Sequence, residues 1–380
     1  MADEQVAREG FAKADELTKL SELDMAWQAS GHGPKLAAVR RGGEALRERL
    51  VRAPRVISVR SLPIATLGYP TKYAYWGAPL SPAPFVIMTH RCLLVQFMQR
   101  GEVKTLLFNP TDGVAARKTP FLERSIRMVG DYVAFNWLSK SFDTLEHQLA
   151  AVGVTPDSVD YVAFDHFHTQ DLRGLLGTID ASHAVRFPNA KLLAPRVEWD
   201  DWDDLHPMQR AWFVADGKRG VRTDRVVLTD GDLELGDGVC LVRTPGHTSG
   251  NQTLFFNTSD GIWGTSENGT SADNWCPHES RIKGLARAAR MQDLDVILNA
   301  NTPEGGALQY TSMILEKTVV DRLNRAPGFV QMFPSSEVTP SPIAPGLGPT
   351  VVHGGLVYGE VTHAEAKRRA TRVGLSATPA

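Results

Sequence analysis

Asp165-His166-Phe167-His168-Thr169-Gln170-Asp171 is the stretch whose reading decides the fold. It follows an apolar run, Tyr161-Val162-Ala163-Phe164, that has the character of a buried strand. At the end of a strand, residues i and i+2 point to the same side. His166 and His168 can therefore reach one point in space. Two converging imidazoles are good ligands for zinc or a similar first-row metal.

A third histidine lies far downstream. His247 sits in Thr244-Pro245-Gly246-His247-Thr248-Ser249-Gly250-Asn251, a turn punctuated by Pro and Gly after the strand-like Val239-Cys240-Leu241-Val242. A catalytic zinc takes three protein ligands and keeps one position open. His166, His168 and His247 make such a set.

With both motifs in place, the chain resembles the metallo-β-lactamase superfamily. That family carries H-x-H-x-D-H after a strand, then a lone His in a Pro-Gly-His-Thr turn, an Asp at a strand end and a final His. Val154 to Val162, which leads into the first motif, also resembles it. The resemblance covers residues 85 to 320. It implies an α/β fold, an αββα sandwich, over 53–325, with an N-terminal helical extension (1–52) and a Pro-rich C-terminal tail (326–380). The departures fall on the second metal position. Gln170 and Asp171 stand where the family has Asp and His, Glu267 where it has the bridging Asp, and Asn301 where it has the last His. Amide and carboxylate oxygens suit Mn, Mg or Ca better than zinc. The expectation is one firmly held metal, zinc, with iron or manganese as alternatives. The second site is then empty, weak or filled by a harder ion.

Composition narrows the function classes. The chain has 380 residues, 42% hydrophobic and 22% charged, which is ordinary for a globular protein. A formal net charge of −2 gives no reason to expect nucleic acid or an anionic membrane as partner. Cys92, Cys240 and Cys276 are far apart and read as buried thiols. No apolar signal core and no membrane-length apolar run is present, so a cytoplasmic protein is expected.

Residues 3 to 52 read as helices, from Leu17, Leu20, Leu23 and Trp27, then Leu36, Val39, Leu46 and Leu50. Residues 67 to 84 read as a long irregular loop that brings Tyr73, Tyr75 and Trp76 towards the cleft. Asp112 ends a strand at a turn and either supports the metal shell or only holds the turn. Gly153 closes a helix as its left-handed cap. Residues 195 to 215 alternate Trp and acid. They read either as an amphipathic helix with a solvated acidic face or as a lid. If Trp199, Trp202, Trp212 and Trp275 line the cleft with Tyr75, the substrate is apolar or aromatic. Strands at 226–228, 239–242, 253–256 and 261–263 would build the second sheet, with a further strand at 296–298. Five prolines between 334 and 349 suggest a tail extended over a surface, and 364–372 a short basic helix.

The chemistry implied is hydrolysis. A bound metal lowers the pKa of water from near 16 to roughly 7, and Asp171 or Glu267 would orient that hydroxide or take its proton. The substrate is a small molecule of the ester, lactone or activated aryl ether class. A homo- or hetero-oligomer is expected, and two other readings remain: a non-catalytic or partner-dependent subunit of a hetero-oligomeric hydrolase, and an iron-dependent oxygenase on the same fold.

Overall fold

The computed structural model describes residues 10–363. Two sheets stack face to face. The first has nine strands. They are β2 (Ser58–Pro70), β3 (Phe85–Gln99), β4 (Glu102–Phe108), β5 (Lys140–Ser141), β6 (Tyr161–Ala163), β7 (Lys191–Pro195), β8 (Val226–Thr229), β15 (Ser336–Thr339) and β16 (Val357–Gly359). The second runs in the order β1 (Thr18–Leu20), β9 (Asp232–Gly236), β10 (Val239–Arg243), β11 (Gln252–Thr258) and β12 (Gly261–Thr265). A separate hairpin pairs β13 (Arg322–Leu323) with β14 (Ala326–Val330).

Side chains on a strand alternate between its two faces, and here they feed two cores. Leu106 and Phe108 of β4, with Tyr161 and Ala163 of β6, enter the core shared with Leu241, Leu254 and Phe256 of the second sheet. Leu107 and Val162, between them, enter the opposite core beneath the helix α3 (Leu145–Ala151). On the far side of the second sheet pack α1 (His32–Arg52) and α5 (Gly306–Val319). Val39, Leu46 and Leu50 meet Met313, Ile314 and Val319 in the same cluster. Helix, sheet, sheet, helix is the layering expected.

Several local expectations are corrected. Residues 18–20 are strand, not helix. They pair antiparallel with β9, and the break before α1 falls at Ala29–Gly31. Leucines at 17, 20 and 23 fit a helix stripe, but Leu20 and Leu23 are buried as part of the second sheet and its flank. Residues 67–70 continue β2, and Thr71–Ala74 form one helical turn, so the loop is shorter than its Gly, Pro and Tyr content suggests. Val226–Thr229 belongs to the first sheet, parallel to β7. Val296–Leu298 is buried but pairs in neither sheet. Gly153, at φ 74°, is the helix cap anticipated. All three cysteines are buried free thiols. The proposed basic helix at 364–372 lies outside the described residues. Among the described residues no helix is long and apolar enough to cross a membrane.

The Pro-rich segment is woven into the sheet. β3 pairs with β4 over Leu93–Gln99, and β15 takes the same flank over Ile87–His90. β16 closes the other edge against β2. A salt bridge from Arg91 to Glu337 (3.2 Å) and a hydrogen bond from His353 to Glu337 (2.8 Å) bury the junction.

Candidate metal centre

Parallel register places the centre. Phe108 of β4 lies beside Ala163 of β6, so both strands release their next residues at one edge. Such carboxyl ends are where open α/β sheets bind ligands. Asn109 leaves β4 there with φ 59°, and Asp165 and His166 leave β6. The β10–β11 turn carrying His247 is fixed to the same edge. Gln252 donates its backbone N–H to the carbonyl of Asp165 and its side-chain amide to that of Phe164, both at 2.8 Å.

The three imidazoles meet. Ring centroids lie 4.6 Å apart for His166 and His168, 4.5 Å for His166 and His247, and 4.9 Å for His168 and His247. All three are buried, and their ligand atoms lie within 4.8 Å of one another. The hydrogen bonds around them set which nitrogen is free. Nδ1–H of His166 donates to Asp165 Oδ1 at 2.7 Å, leaving Nε2. Nε2–H of His168 donates to Gln209 Oε1 at 2.6 Å, leaving Nδ1. Gln209 is itself oriented, because its amide donates to Glu304 (2.7 Å). His247 Nδ1 is buried without a hydrogen-bond partner. An orphaned imidazole nitrogen beside two others fixed by outer acceptors is the donor set of a metal site. Burial, the largest cause, holds His168 and His247 well below the usual imidazole range, so both are neutral and able to ligate.

Two stacked sheets flanked by helices, with H-x-H after one strand and Pro-Gly-His between two others converging at one edge, decide the architecture. The architecture is the αββα sandwich that the resemblance to the metallo-β-lactamase superfamily implied. No protein-family profile matches the chain, and no curated protein does. Solved structures are similar in backbone. An N-acyl homoserine lactone hydrolase holding the product N-hexanoyl-L-homoserine at its catalytic metal centre is 19% identical, with TM-score 0.41, over 63% of this chain and 88% of its own. A probable metal-dependent hydrolase from Staphylococcus aureus is 16% identical, with TM-score 0.46, over 64% and 84%. The dizinc quorum-quenching lactonase AidC is 13% identical, with TM-score 0.47, over 82% and 98%.

Within this αββα fold, Asp165 has a role that the sequence did not assign to it. Its Oδ1 also accepts from the His166 backbone N–H (2.9 Å), and its Oδ2 accepts from Asn109 (3.1 Å) and Ser335 (2.5 Å). Burial alone would raise its pKa, but His166 and the Ser335 hydrogen bond outweigh it and hold the carboxyl low. Asp165 is thus an anion that orients His166. Asn109 and Ser335 were missed because neither belongs to a motif. The nearest signal was Asn109-Pro110 just past a strand.

The second position is different. Asp171 turns away, with both oxygens on Arg173 (2.9 and 2.6 Å), and does not join the cluster. Burial would raise its pKa, but Arg173 holds it lower. Asp112 is exposed and accepts from the N–H groups of Val114 and Ala115, so it holds the turn. Gln170, Glu267 and Asn301 line the same cavity as the histidines. Gln170 donates to Thr111 (3.0 Å), and Asn301 Oδ1 is buried without a partner. Burial and the Asp165 charge push Glu267 well above the usual carboxylate range. Among the described residues, His166, His168 and His247 are the one cluster of His, Cys, Asp or Glu able to hold a metal.

The cavity beside the triad measures about 180 Å³. Its apolar wall includes Leu67, Met88, Phe121, Ile126, Phe135 and Trp212. Phe121 and Ile126 come from α2 (Pro120–Val129), which roofs it. Of the proposed substrate contacts only Trp212 is there, its ring 4.2 Å from Phe121 and 5.9 Å from His168. Trp199 and Trp202 are core, with Trp202 stacked on Phe167. Trp275 is fully buried and donates to Glu316 (2.7 Å), and Tyr75 is fully buried. Tryptophan count alone cannot tell a cleft from a core. His206 holds a turn, its Nδ1 accepting from the Met208 N–H. A cavity histidine was overlooked. His90, lowered to about 4 by burial, bonds Ser336 (3.0 Å) and Thr111 (2.9 Å).

Proposed function

We propose that this chain is a metal-dependent hydrolase of a small, uncharged, apolar or aromatic substrate. The observation that carries the reading is the convergence of His166, His168 and His247, each presenting a free nitrogen to one point. These three would hold one divalent cation, zinc for preference, since neutral imidazoles suit it. When bound, the cation supplies Lewis acidity, polarising the electrophile and acidifying water.

The chain's own groups supply the rest. Asp165 and Gln209 fix the two imidazoles in their ligating tautomers. The wall of Leu67, Met88, Phe121, Ile126 and Trp212 binds the apolar body of the substrate and excludes water. Glu267 stands in the same cavity, its carboxyl pushed above the usual range by burial and the Asp165 charge, and is placed to exchange a proton with a leaving oxygen. Asp171 has no part, because Arg173 occupies its carboxylate.

Elemental analysis and a panel of nitrophenyl esters and lactones test this. One ion per chain is expected, with His247→Ala losing metal and turnover together. Metal-free protein with full activity would refute the reading.

A further inference from the structure

The two ligand-bearing segments are tied by a side chain that belongs to neither. Glu198 lies on α4 (Arg196–Asp201), directly after β7, in the acidic run whose face was expected to be solvated. It is instead 1% exposed. Oε1 accepts from the backbone N–H of Phe167 at 2.9 Å, and Phe167 stands between His166 and His168. Oε2 accepts from the backbone N–H of Gly250, also at 2.9 Å, in the turn that carries His247. The second approach needs a glycine: a β-carbon at Gly250 would lie 2.4 Å from that of Glu198. Glu198 does not line the substrate cavity.

We propose that Glu198 is a positioning residue that fixes the distance between the H-x-H pair and His247, and so sets metal affinity and coordination geometry. This rests on the metal-centre reading above. The physical reason is acceptor count. Only a side chain with two acceptor oxygens satisfies both N–H groups at once. A glutamine has the same shape but sets an NH₂ against one backbone N–H, which leaves a buried donor unpaired. One loop is then released, and with it one side of the ligand set. Removing the outer partners of metal ligands typically weakens binding about 10–100-fold.

The test compares the full chain with Glu198→Gln. Each is titrated with Zn²⁺ against a chromophoric chelator, and each is loaded with Co²⁺ for absorption spectroscopy. Folding is checked by circular dichroism. The expected result is Zn²⁺ affinity lower by about 10–100-fold, with altered cobalt d–d bands in folded protein. A residue that merely stabilised the domain would lower the melting temperature and leave those bands unmoved, which overturns the proposal. So does wild-type affinity in the folded variant. Failure of the unsubstituted chain to bind Zn²⁺ at all would instead defeat the metal-centre reading. If Glu198→Gln does not fold, Glu198→Asp replaces it. It keeps the charge, loses reach to one loop, and is judged on the same two readings.

Discussion

Asp165→Asn is the most informative single perturbation of the centre, because the change is isosteric and its cost can be counted. Asp165 accepts four hydrogen bonds: Nδ1 and the backbone N–H of His166 on Oδ1, Asn109 and Ser335 on Oδ2. An asparagine offers one oxygen. If its oxygen faces Asn109 and Ser335, the NH₂ meets the ring N–H of His166. The imidazole must then move its proton to Nε2, the nitrogen needed for the metal. If its oxygen faces His166, the NH₂ meets the amide of Asn109, and a buried donor goes unpaired at about 1–3 kcal/mol. Either way the ligand is weakened. An outer-partner loss of about 10–100-fold in metal affinity corresponds to about 1.4–2.7 kcal/mol. Zinc competition titration reads this directly, with circular dichroism as the folding control. A folded Asp165→Asn protein that binds zinc as tightly as its parent would show that Asp165 does not orient His166, and the reasoning would fail.

Trp212→Ala should raise KM for apolar esters by an order of magnitude or more and cost about 3–5 kcal/mol in a denaturant titration, because its ring both lines the cavity and packs on Phe121. Trp275→Phe should leave KM and kcat unchanged and cost about 1–3 kcal/mol for the unpaired Glu316 acceptor plus a cavity term, since the indole both bonds Glu316 and fills the core. Asp171→Asn should keep activity within a few-fold; a hundredfold loss would restore Asp171 as a catalytic base. Its stability effect has a definite pH sign. Arg173, working against burial, holds the folded pKa below the unfolded one. The stabilisation is therefore present above the ordinary carboxylate pKa of about 4 and is lost as pH falls through the lowered folded value. The gap in unfolding free energy between parent and variant should close on acidification.

The parts legible in the sequence were those written into contiguous motifs. The His-x-His pair after an apolar strand and the Pro-Gly-His turn needed no long-range information to be recognised as candidate ligands. The apolar run Tyr161-Val162-Ala163-Phe164 likewise placed β6. What stayed hidden depends on register between distant strands. Ser335 reaches Asp165 only because β15 lies against β3, and no pattern near residue 335 announces that pairing. Gln209 and Glu198 are ordinary polar residues in an aromatic, acidic segment until the fold aims them at the histidine loops. The tryptophans misled for a related reason. Composition counts aromatic rings but not the direction each one faces, and Trp199, Trp202 and Trp275 face the core.

The placement of β15 bears on how the protein is made. The chain is synthesised from its N-terminus, so His166, His168 and His247 all leave the ribosome well before Ser335 and Ser336, while a domain folds as a unit. Until that late strand docks, Asp165 lacks its hydroxyl donor, His90 lacks its Ser336 partner, and the first half of β3 is an open edge. A nascent chain stalled before residue 335 would carry every ligand and still have no finished centre.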